Sequence, residues 1–166
     1  MAKEPKGLDA LFHNTLKDIY FAETKILGAL PKMEHSAQSP ELKKAFAKHR
    51  GVTEGQVERL EQVFALIDAK PQAKTCDAII GIMKEGGEVM DEYKGSPALD
   101  AALLAVAQAV EHYEMSRYGT LKTWADELGI DKAVKLLDAT LQEEKKTDAA
   151  LTQLAVTVIN YEAEAV

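Results

Sequence analysis

Apolar residues recur every three to four positions in four long stretches of the chain, and no long run alternates as a strand would require. Leu8, Leu11, Phe12, Ile19, Ala22, Ile26 and Leu30 share one face over 8–33, and Leu42, Phe46, Val57, Leu60 and Phe64 share one over 40–66. Leu103, Ala107, Val110, Leu121 and Ala125 do so over 97–128, and Leu137, Leu141, Leu151, Ala155 and Val158 over 131–162. The punctuation agrees with this division. Ser39–Pro40 and Ser96–Pro97 each place a capping hydroxyl before a proline suited to the first helical position; Thr75 is a third candidate cap and Gly129 a helix stop. Residues 68–75 lack periodicity and read as a linker, after which 76–93 predicts a shorter helix.

Connection lengths turn these elements into a topology. Short turns join the first long helix to the second and the third to the fourth, so each pair is an antiparallel hairpin. Between the hairpins lie about 30 residues that include the short helix, and about 18 helical residues carry a chain about 27 Å. That is enough to return the chain along most of a bundle, so the second and third long helices run parallel. The expectation is an all-α, ferritin-like four-helix bundle with one long crossover containing an additional shorter helix, forming a single domain over 1–166.

Composition narrows the function classes. Hydrophobic residues at 46% and charged residues at 28% suit a folded globular chain. A net charge of −7 without a basic cluster argues against nucleic acid as a partner. No apolar run approaches the roughly 18 residues of a membrane span, so no membrane partner is expected. The short polar N-terminus has no signal core, and a lone Cys76 cannot form an internal disulfide. A cytoplasmic location is expected from these features.

Acidic residues interrupt the apolar faces at one level. Glu23 falls inside the first stripe, Glu111 and Glu114 inside the third with Tyr118, and Glu144 at the centre of the fourth with Asp148 one turn later. On the second helix His49, Thr53 and Gln56 interrupt the stripe and Glu54 lies on its flank. Each group sits near the middle of its helix, and the middles of antiparallel helices meet, so a polar layer crosses the core. Like charges a few ångströms apart cannot all ionise without cations. No inward lysine or arginine is evident at that level. Shared protons are one solution and two metal ions a better one; hard oxygen donors suit iron or manganese. Candidate ligands are Glu23, one of His49 or Glu54, Glu111, Glu114, Glu144 and Asp148. His112 lies opposite the third stripe and reads as a surface or subunit-contact residue.

With these residues in place the chain resembles the YciE/YciF-type ferritin-like stress proteins of bacteria. The likeness runs from about Leu8 to Leu154. It is carried by Tyr20-Phe21-Ala22-Glu23, by His49 with Thr53 and Gln56, and by Arg59-Leu60-Glu61. Cys76, Asp100-Ala101-Ala102-Leu103, Glu111-His112-Tyr113-Glu114, Tyr118-Gly119-Thr120-Leu121 and Glu143-Glu144 with Thr147-Asp148 complete it. The resemblance implies a ferritin-like bundle, a homodimer and a part in bacterial stress responses. The chain departs from the wider ferritin-like pattern of two Glu-x-x-His motifs. Val57 follows Glu54 by three residues, Thr147 follows Glu144, and the third long helix carries Glu111-x-x-Glu114 instead of one glutamate.

Two functions follow as expectations. The first is a di-metal, iron or manganese, carboxylate protein acting on a small oxidant such as dioxygen or peroxide, with oxidase, ferroxidase or peroxide-scavenging chemistry. The second is a non-enzymatic structural stress protein whose polar layer fixes helix register. Gly51 and Gly55, one turn apart on the second helix, each cost about 1 kcal/mol relative to alanine. A closely packed neighbour, either the middle helix or a second subunit, would offset that.

Overall fold

The computed structural model describes residues 6–164. The chain forms α1 (Leu8–Ser36), α2 (Pro40–Leu66), α3 (Asp77–Glu92), α4 (Leu99–Glu127) and α5 (Asp131–Leu154), then a π-helical turn (Ala155–Ile159) and α6 (Asn160–Glu164). Among the described residues there is no strand.

Local chemistry sets the ends. Ser39 caps α2, with Pro40 at its first position and the Leu42 amide 3.5 Å from the serine hydroxyl. Gly129 ends α4 in the left-handed region at φ 70°. Its amide donates to Asp126 at 3.0 Å and that of Ile130 to Ala125 at 2.9 Å, so two otherwise orphaned carbonyls gain donors. Elsewhere the expected caps shift. Ser96 accepts the Ala98 amide at 3.1 Å in a turn that precedes α4, which starts at Leu99 rather than Pro97. Cys76 occupies the capping position of α3 in place of Thr75, without a side-chain bond.

Packing gives the bundle. α1 packs on α2 and α4, α5 on α4 and α2, and the crossover helix α3 on α4. Glu23 meets Tyr118 while Gln38 meets Asp100, so α1 and α4 are antiparallel. Gln56 meets Glu144 and Arg59 meets Thr140, so α2 and α5 are antiparallel as well. The four long helices thus form a bundle with parallel α2 and α4 joined by one long crossover. Phe12, Leu16, Ile19, Leu60, Phe64, Leu103, Leu121 and Leu137 are fully buried in it, and each such side chain stabilises the fold by about 1.5–3 kcal/mol. Buried Asp100 fixes one end: its carboxylate accepts the Gln38 and Ser39 amides, at 2.8 and 2.5 Å, and so ties the α1–α2 turn to the start of α4.

Four expectations about faces need correction. Leu11 is exposed, and the inward position one turn on is taken by Thr15 and Leu16. Val57 is only half-buried, since Gln56 and Leu60 take the inward positions beside it. The last helix does not run unbroken over 131–162. At the π-helical turn the inward series steps from Leu151 to Ala155 to Ile159, leaving Val158 half-buried, because a wider turn delays the stripe. The middle helix is not the neighbour of Gly51 or Gly55, since nothing lies within 4 Å of a Cβ built on either. The close approach is at Gly86 of α3, where a Cβ would meet Val106 Cγ1 of α4 at 2.8 Å.

Candidate metal centre

Five inward side chains from four helices meet in the middle of the bundle: Glu23 of α1, His49 of α2, Glu111 and Glu114 of α4, and Glu144 of α5. His49, Glu111, Glu114 and Glu144 each present one donor atom to a common volume, all four atoms lying within 4.8 Å of one another. Glu23 adjoins them with no exposed surface. Helical spacing explains the convergence: Glu111 and Glu114, three apart, share the face of α4 that carries Ala107, Val110 and Tyr118.

A surrounding layer orients these groups. The Tyr118 hydroxyl donates to Glu23 Oε1, and the Gln56 amide donates to Glu144 Oε1. Gln56 also reaches Glu143 at 3.2 Å. Both Nη atoms of Arg59 bind the Glu143 carboxylate at 2.6 Å, and Nη1 reaches the Thr140 hydroxyl at 3.2 Å. Thr53 turns its hydroxyl onto the His49 carbonyl at 3.0 Å, so a buried polar residue is satisfied within its own helix.

The inner atoms are not satisfied. Oε2 of Glu23, Glu111 and Glu144, both oxygens of Glu114 and both ring nitrogens of His49 are buried without a hydrogen-bond partner. His49 Nε2 lies 3.2 Å from Glu111 Oε1, without the alignment of a hydrogen bond. Buried polar atoms are nearly always partnered, and each orphan costs about 1–3 kcal/mol. Four of these residues bring a donor atom to one volume, which is the donor chemistry of a cation-binding site.

The electrostatics agree. Burial, then the Glu144 charge, raise Glu23 to about 8, against the pull of the Tyr118 hydroxyl. Burial raises Glu111 to about 11, with Glu144 adding to it. Glu114 is pushed well up by burial and by Glu23, and burial also raises Glu144. Burial lowers His49 to about 4, so its imidazole is neutral and keeps a lone pair for a ligand bond. Without cations the layer holds protons; with cations it ionises.

Two candidates from the sequence lie elsewhere. Glu54 is more than half exposed and pairs with Arg50 at 3.7 Å; it follows the buried Thr53 by one residue, about 100° round the helix. Of the two rivals on α2, His49 is therefore the residue that faces the layer. Asp148 is half-buried at the edge, with Oδ1 3.2 Å from His112 Nε2 and 3.0 Å from Gln108 Nε2. His112 is exposed, away from the cluster. A cation does stand near this level, at the rim and not inward on a stripe: Arg59, half-buried and engaged by Glu143. It was missed because both residues flank their stripes, and only the packing of α2 on α5 joins them.

Comparison with known proteins places the fold in context. Residues 7–164 match the family described as a domain of unknown function, DUF892. Protein YciF of Escherichia coli strain K12 is 42% identical over 160 residues, 96% of each chain. The crystal structure of the E. coli stress protein YciF superposes with a TM-score of 0.89 at 41% identity, covering 94% of this chain and 99% of that one. YcfI from Rhodopseudomonas palustris, provisionally described as a structural protein, has a TM-score of 0.86 at 43% identity over 92% and 97%. A Xanthomonas campestris protein at 18% identity, TM-score 0.73 over 96% and 100%, shares the fold. No helix among the described residues is long and apolar enough to cross a membrane. A bundle of matching length and topology, at this identity over nearly the whole chain, makes the protein a member of the DUF892 family and a homologue of the stress protein YciF.

Proposed function

We propose that this protein is a ferritin-like di-metal carboxylate protein of the bacterial stress response. The observation that carries the proposal is the set of unpartnered donor atoms on His49, Glu111, Glu114 and Glu144, with Glu23 beside them. Charge supports two ions: four carboxylates and a neutral imidazole balance two divalent cations. The donors, oxygen-rich with one nitrogen, suit iron, with manganese as the second choice. Asp148 and Glu54 are left out of the ligand set.

Bound iron would supply redox chemistry toward a small oxidant such as dioxygen or peroxide, as in an oxidase, a ferroxidase or a peroxide scavenger. The chain's own contributions can be named. Gln56 and Tyr118 aim Glu144 and Glu23 by hydrogen bonds, and the Arg59–Glu143 pair closes the rim beside them. Buried apolar side chains flank the cluster above and below.

Elemental analysis after loading with Fe(II) or Mn(II) tests the proposal, comparing the native chain with Glu144→Ala and His49→Ala. About two ions per chain are expected, with a large loss in both variants at unchanged helicity. No stoichiometric metal under any loading condition would overturn the proposal. It would favour a second reading, in which the proton-holding layer only fixes helix register; the provisional description of the R. palustris relative agrees with that reading.

A further inference from the structure

A cavity of about 360 Å³ lies beside the cluster, in the half of the bundle nearer the α1–α2 turn. Leu30, Met33, Phe46, Met83, Leu151 and Leu154 make its walls apolar. Its inner end is formed by His49 and Glu111, and its outer border by the exposed residues Lys48, Lys146 and Ala150. Helix bundles normally pack with few voids larger than a water molecule, and an empty apolar void is destabilising. This volume falls instead in the lower part of the range of small-molecule pockets, about 300–1,000 Å³. The rim has one sign of free charge. Neither Lys48 nor Lys146 is in an ion pair among the described residues, and the bordering Glu143 carboxylate is neutralised by Arg59.

We propose that the cavity binds one single-chain organic carboxylate, with its apolar body among Leu30, Met33, Phe46 and Leu151 and its carboxylate between Lys48 and Lys146. The wall is apolar apart from His49 and Glu111 on the inner side and the lysine-bearing border on the outer. Two lysines from neighbouring helices complement a single anionic head. The proposal stands on the cavity and its rim, and holds with or without metal in the cluster.

Calorimetric titration of the full chain, as purified and after chelation, with dodecanoate below its micellar range tests it. Saturable binding of about one molecule per chain is expected. Ala150→Trp should abolish it by filling the mouth at an exposed position. Lys48→Glu with Lys146→Glu should weaken it about tenfold or more, while binding of uncharged dodecanol changes little. Circular dichroism confirms that the variants fold. No saturable binding, binding indifferent to Ala150→Trp, or equal weakening of dodecanoate and dodecanol by the charge reversal would each overturn the proposal. Sedimentation with anionic phospholipid vesicles without dodecanoate binding would overturn it in favour of a membrane surface.

Discussion

Tyr118 sits one turn beyond Glu114, and its hydroxyl is the donor that Glu23 Oε1 receives. Because Glu23 Oε2 already lacks a partner, Tyr118→Phe should destabilise the metal-free protein by about 1–3 kcal/mol, read by urea unfolding. The same bond favours the ionised carboxylate, so its loss should raise Glu23 further. The pH dependence follows from the raised carboxyls. Each holds its proton more tightly folded than unfolded, so its stabilisation is complete near the unfolded value of 4.5 and is lost as pH rises through the folded value, about 8 for Glu23. His49 acts the other way: its value falls from 6.5 to about 4, so it adds stability as pH rises through that window. Above about 6.5 only the carboxyl loss continues, and the melting temperature of the chelated protein should fall toward alkaline pH. Metal must displace the same protons, so the stabilisation given by added Fe(II) or Mn(II) should grow with pH over that range. A pH-independent metal effect would contradict this ligand set.

At the scale of the helices, the glycines separate by position. Gly51 and Gly55 lie inside α2 with open space where a Cβ would stand. In the isolated chain each substitution by alanine should therefore stabilise by about 1 kcal/mol, read by thermal melting. Gly86 sits where α3 crosses α4, and a Cβ there would press on the stiff β-branched Val106 at 2.8 Å. Gly86→Ala should instead loosen α3 and lower the melting temperature, despite the better helix propensity of alanine. Identical gains at all three positions would mean that α3 does not pack as described. A helix-propensity scale treats the three alike; the difference lies in what faces them.

For the whole molecule, the cluster matters because it draws on α1, α2, α4 and α5 together. A ligand that binds only the folded state stabilises it by about 2.7 kcal/mol at a hundredfold excess over its Kd. Metal should therefore slow amide exchange in the middles of all four long helices at once. α3 packs on α4 and contributes no ligand to the cluster, so its exchange should change little. Slowing confined to one hairpin would mean that the ions do not bridge the bundle.

Much of this architecture was determined by the sequence alone. The periodic stripes over 40–66 and 97–128, the Ser39–Pro40 start and the Gly129 stop are local features, set by helix geometry and backbone sterics before any tertiary contact forms. Glu23, Glu111, Glu114 and Glu144 were legible for the same reason: a carboxylate within an apolar stripe is a local anomaly whose position fixes its height. Tertiary structure decided what lies between helices. It turned His49 inward and Glu54 outward, a choice made by about 100° of helix rotation that only the packing of α2 on its neighbours settles. It held Asp148 at the edge with His112 and Gln108, joined Arg59 to Glu143, and shifted the last stripe at the π-helical turn. It also left an apolar cavity beside the cluster. A stripe records which face a residue occupies, but partners and empty volume depend on how faces from different helices meet, and no single helix carries that information.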